Sequence, residues 1–96
     1  MTDLEMTRLC AEAMGYYLMR PSASDHAWHT AEQDYYDPLH DDAQAMALVK
    51  KCDIHCEKIG SWWECEEPMG HLGTHSDLNR AICECVAKMQ MARSSS

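Results

Sequence analysis

The side chains that could do chemistry in this sequence are Cys52, His55, Cys56, Cys65, His71, His75, Cys83 and Cys85, crowded into its second half. Cys52-x3-Cys56 followed by His71-x3-His75 has the number and type of ligands of a structural zinc site. The spacing is not Cys-x2-Cys, however. Cys52 falls at the end of a predicted helix and Cys56 on a predicted strand, so the two are expected to point apart. Cys52, Cys56, His71 and His75 stand as zinc candidates, but the favoured assignment has no metal and no cofactor. It makes Cys56, Cys65 and Cys85 small core residues and leaves the histidines in loops. A Cys56–Cys65 disulfide is the other open alternative. The two face each other in the predicted register at the short end of disulfide geometry.

Nucleophilic catalysis needs a thiol beside a base. His55 and Cys56 are adjacent, but neighbours on a strand point to opposite faces. Cys83 and Cys85 fall on different sides of a helix. No glycine-rich phosphate loop, nucleophile elbow or zinc-protease helix is present, so no enzymatic activity and no catalytic residue is expected.

The elements that must hold these residues follow from periodicity. Thr2 and Glu5 form a capping box, and Leu4, Met6, Leu9, Cys10, Ala13 and Met14 make one helical stripe ended by Gly15. Residues 20–36 read as irregular, with Trp28 anchoring the loop and a short strand expected near Ala27–Thr30 or around Tyr35. A second helix begins near Asp37-Pro38 or Asp41. Ala43, Met46, Ala47 and Val49 form its apolar side, with Lys50 and Lys51 at its C-terminal end.

Residues 53–67 read as a hairpin around Gly60-Ser61, a type II′ turn. That turn pairs Ile59 with Trp62, Lys58 with Trp63, Glu57 with Glu64, and Cys56 with Cys65. Ile54, Cys56, Trp63 and Cys65 then face the core. His55, Glu57, Ile59, Trp62, Glu64 and Glu66 face away. Pro68 to His75 reads as a loop. A last helix starts at Ser76 or Asp77 and carries Leu78, Ala81, Ile82, Cys85, Val86 and Met89 at helical spacing. The expected fold is α+β: one domain over 1–96, with a small antiparallel sheet on hairpin 53–67 flanked by three helices. A third strand would come from 27–36, and a frayed tail is expected at 93–96.

Ninety-six residues with a formal charge of −8 allow one core and no second domain. No apolar run approaches the roughly 20 residues that span a bilayer. The acidic start Met1 to Glu5 lacks the apolar segment of a secretory signal, so a cytoplasmic protein with reduced thiols is expected. From Pro21 to Val49 there is no Lys or Arg, while Asp25, Glu32, Asp34, Asp37, Asp41 and Asp42 fall in that stretch. Such a field repels phosphate and attracts basic protein surfaces. The expected partner-binding residues are Asp25, Glu32, Asp34, Tyr35, Asp37 and Asp42, with a second surface at Glu57, Trp62, Glu64 and Glu66.

The ordered set Ala13-Met14-Gly15-Tyr16, Trp28, Tyr36 to Ala43 and Asp77 to Ile82 resembles the phage α/β/α-sandwich family of small phage and prophage proteins. The resemblance covers nearly the whole chain. It implies a phage origin and action in the cytoplasm of a bacterial host, but no catalytic residues. Together with the acidic belt it gives the expected function: an accessory protein that inhibits a host defence complex, of anti-CRISPR type, by covering a basic nucleic-acid-binding site. The partner would be a host protein or ribonucleoprotein, with no direct nucleic-acid binding and no membrane; a homodimer through hairpin edges is an open expectation. The alternative function is a structural zinc-binding or assembly adaptor protein.

Overall fold

The computed structural model describes residues 1–94 and has an α+β fold, with three helices and two small antiparallel sheets. Helix α1 (Asp3–Met14) starts where Thr2 Oγ1 accepts the Glu5 N–H at 3.1 Å. It stops at Gly15, whose φ of 76° is left-handed and whose N–H returns to Glu12. Strands β1 (Leu18–Pro21) and β2 (Trp28–Thr30) pair as a two-stranded sheet. Helix α2 (Asp42–Cys52) is capped by Asp41, whose carboxylate accepts the Gln44 N–H.

Strands β3 (His55–Ile59), β4 (Trp62–Glu66) and β5 (Leu72–His75) form the second sheet in the order β3-β4-β5. The β3–β4 register matches the sequence expectation at every pair, from Cys56–Cys65 to Ile59–Trp62. Gly60 supplies the positive φ (63°) and Ser61 does not share it, as a type II′ turn requires. Helix α3 (Leu78–Ser94) begins with Asp77 accepting the Arg80 N–H.

One buried cluster holds the molecule together, with α3 at its centre. Helices α1 and α2 pack on α3 from one side, and β4 and β5 from another. Of the expected stripe, Leu78 is half-buried and Ala81, Ile82, Cys85, Val86 and Met89 are buried. So are Cys83 and Ala87, because α3 is covered on more than one side. Trp28 is tied down as expected, its indole N–H donating to Leu4 O at 2.9 Å.

Four sequence expectations need correction. The third strand of the hairpin sheet is 72–75, inside the segment read as a loop, and 28–30 pairs with 18–21 instead. Gly73 accounts for the misreading. A Cβ on it would lie 2.0 Å from Ala81 O and 2.6 Å from Cys85 N, so this strand needs a residue with no side chain to sit on α3. The buried side of α2 is Ala45 and Leu48, while Ala43 and Met46 are exposed. Arg93 and Ser94 are helical rather than frayed; the remainder of the expected tail lies outside the described residues. Asp37 is buried, for reasons given below. No helix among the described residues is long and apolar enough to cross a membrane.

Candidate functional site

The second sheet has two unlike faces. Alternation along the strands turns Ile54 and Cys65 inward, both buried, with Cys56 and Trp63 half-buried beside them. Against this face lies α3. On the other face stand His55, Glu57 and Ile59 from β3, then Trp62, Glu64 and Glu66 from β4. The register adds Leu72 and Thr74 from β5, opposite Glu66 and Glu64. All of these are exposed except the half-buried Glu64; Trp62 retains 53% of its surface and Ile59 51%.

A cavity of about 430 Å³ opens on this sheet between Ile59, Trp62, Trp63, Glu64 and Thr74. The outward face carries no Lys or Arg. Lys58, the hairpin's only cation apart from histidine, points the other way with Nζ 5.8 Å from the Trp63 ring. The Trp62 ring meets His75 edge-on at 6.0 Å. Large exposed apolar side chains, Ile59, Trp62 and Leu72, thus stand among carboxylates on this face.

The acidic belt of residues 25–42 is only partly a surface. Asp25, Asp34 and Tyr35 are exposed. Glu32 is also exposed, but it accepts the Tyr17 N–H, and Asp42 accepts from the Asn79 amide at 2.8 Å. Asp37 cannot dock on a partner. The Trp28–Tyr36 bridge, with both N–H···O bonds made, folds the chain back and leads Asp37 inward. There its N–H is held by Gln44 Oε1 and its carbonyl accepts from His40 and Asp41.

Its carboxylate, 8% exposed, lies between two imidazoles that sequence reasoning did not single out. Asp37 Oδ2 is 3.2 Å from His26 Nδ1 and 3.1 Å from His40 Nδ1. The two rings are 4.5 Å apart. Asp37-x2-His40 in a turn before a helix was the one visible signal. His26 joins only through the β2 bridge and through Thr7, whose hydroxyl donates to His26 O at 2.6 Å.

The zinc candidates Cys52, Cys56, His71 and His75 are not brought together. Among the described residues the only group of three or more metal-binding side chains within reach of one ion is His26, Asp37 and His40. His71 is held by Glu67, whose carboxylate takes the N–H groups of Met69 and His71 and the His71 ring. Burial would raise the Glu67 carboxyl, but those three donors outweigh it and hold it below the ordinary carboxylate value. His75 Nδ1 accepts the Asp77 N–H at the start of α3.

All six cysteines are free thiols. Cys65 donates to Cys56 across the hairpin at 3.0 Å, and Cys85 donates to His71 O. Burial pushes the Cys10, Cys52, Cys65 and Cys85 thiols up, Cys85 to about 12, which keeps them from acting as thiolates at neutral pH.

No family model, no curated protein and no solved structure matches this chain.

Proposed function

We propose that this chain is a binding protein of bacteriophage type. It docks the bare face of the β3-β4-β5 sheet onto a positively charged protein or ribonucleoprotein surface in the host cytoplasm. The surface a defence complex uses to hold nucleic acid has the required charge, and covering it would be inhibition of anti-CRISPR type. The observation that carries this reading is Trp62 and Ile59 exposed together among Glu57, Glu64 and Glu66, with no Lys or Arg on that face.

Charge decides what can cover it. A second copy laid face to face would set these carboxylates against their own kind, which costs free energy. A phosphate backbone is repelled in the same way. A surface rich in Arg supplies fork-shaped donors for the glutamates and a flat cation for the Trp62 ring. Asp25 and Asp34 extend the negative field that steers a basic partner and Tyr35 is exposed next to Asp34, while Asp37 takes no part.

The test is tagged capture from a bacterial lysate that carries an active nucleic-acid-targeting defence complex, at low and high salt. The same variants are used in a phage-plating assay. Wild-type protein should retain the complex at low salt and restore plating. Trp62→Ala and the double change Glu57→Lys, Glu64→Lys should do neither while keeping native circular dichroism. Retention and plating unaffected by these changes would refute the docking face.

A further inference from the structure

From the His26–Asp37–His40 juxtaposition we infer a binding site for a zinc-class divalent transition-metal ion. Three features of the cluster converge on this. The first is ligand type: two imidazoles and one carboxylate suit zinc and its neighbours, and soft thiolate is not needed.

The second is spacing. Around a tetrahedral ion with bonds of about 2.0–2.1 Å, neighbouring ligand atoms lie on the order of 3.4 Å apart. Here His26 Nδ1 and His40 Nδ1 stand 3.2 and 3.1 Å from the same Asp37 oxygen, and one ligand atom from each residue falls within 4.8 Å of the others.

The third is direction. His26 Nδ1 is a buried atom that makes no acceptable hydrogen bond, although Asp37 Oδ2 is only 3.2 Å away. The His26 and Asp37 ligand atoms thus stand side by side without a bond between them, whereas His40 Nδ1 does hydrogen-bond both Asp37 oxygens at 3.1 Å, a bond the ion would replace.

The charge balance points the same way. The Asp37 carboxylate is nine-tenths buried, and among the described residues its side-chain neighbours are the two imidazoles, with no ion pair to Lys or Arg. A buried carboxylate needs compensation, and a dication supplies it. Three protein ligands leave a fourth position for water or for a side chain of a partner. The ion would fasten the loop before β2 to the turn that leads into α2, and through the Thr7–His26 hydrogen bond to α1. This site is independent of the proposed docking face.

Cobalt(II) tests it, because its visible spectrum reports ligand type and six thiols are competing ligands in this chain. Cobalt titration of the reduced full-length protein should give one ion per chain with no thiolate-to-metal charge-transfer band, and zinc should displace it. His40→Ala removes a largely exposed side chain, so the fold should persist. It should weaken binding at least ~10-fold, since even outer-shell losses at metal sites cost that much. Asp37→Asn should do the same, while His75→Ala and Glu57→Lys/Glu64→Lys should bind as wild type. Zinc should raise the melting temperature of wild type and not of His40→Ala. A thiolate band at one equivalent, or affinity unchanged in both His40→Ala and Asp37→Asn, would overturn the site.

Discussion

Replacing Gly73 with alanine probes the contact that builds the sheet onto α3. The added Cβ would sit 2.0 Å from Ala81 O, 2.6 Å from Cys85 N and 3.1 Å from Ala81 C. Ordinary contact for such atoms is about 3.5 Å, so strand and helix must separate by more than ~1 Å. Both neighbours are backbone, and no rotamer change can relieve the clash. Overpacking of this kind costs typically ~1–3 kcal/mol, and a backbone-to-backbone clash belongs at the upper end. The lower chain entropy of unfolded alanine returns ~0.4–1 kcal/mol, leaving a net loss of about 2 kcal/mol. For a domain of this size each kcal/mol shifts Tm by about 4–8 °C, so Gly73→Ala should melt about 8–16 °C lower. Thermal circular dichroism and urea midpoints read this directly. Thr74→Ala, one residue along on the outward face, is the control and should stay within ~1 kcal/mol. A Gly73→Ala protein within ~0.5 kcal/mol of wild type would refute the close approach of β5 to α3.

Other expectations follow from single contacts. Glu67 has its folded-state pKa held below its unfolded value, so its contribution is present above the ordinary carboxylate range and is lost as pH falls through the lower folded value. Glu67→Gln should flatten the fall in urea midpoint below about pH 4.5. The buried Tyr36 hydroxyl has no hydrogen-bond partner, and burial raises its pKa. Tyr36→Phe should therefore leave stability unchanged or raise it by up to ~1 kcal/mol in chemical denaturation. Trp28→Phe breaks the indole bond to Leu4 O, and should cost ~1–2 kcal/mol by the same measurement.

The β3–β4 hairpin was legible residue by residue, because a two-residue turn beginning with Gly60 fixes register and register fixes faces. The ends of α1 were legible because Thr2 and Gly15 do local work that needs no tertiary knowledge, whereas the start of α2 was narrowed only to Asp37-Pro38 or Asp41, of which Asp41 is the cap. The buried side of α2 was not. Ala43, Ala45 and Ala47 alternate with longer residues, which gives a 3.6-residue period no single face, and only the position of α3 selects Ala45 and Leu48.

Strand β5 was hidden by the residue that makes it fit, since Gly73 reads locally as a loop. Of the candidate site, the outward row from Glu57 to Glu66 could be listed from alternation alone. That this face would be left bare depended on all three helices packing elsewhere. The His26–Asp37–His40 group was invisible because it is assembled by the Trp28–Tyr36 bridge, a contact with no local signature.

The central claim is that the bare sheet face meets the partner. The most direct measurement is a nuclear magnetic resonance titration of the isotopically labelled protein with the captured partner or its basic segment. The largest shifts should fall on the Trp62 indole and on the amides of Glu57, Ile59, Glu64 and Thr74, and they should fade with added salt. Shifts confined to α1, or to Asp25, Glu32 and Asp34, with the Trp62 indole unmoved, would contradict it.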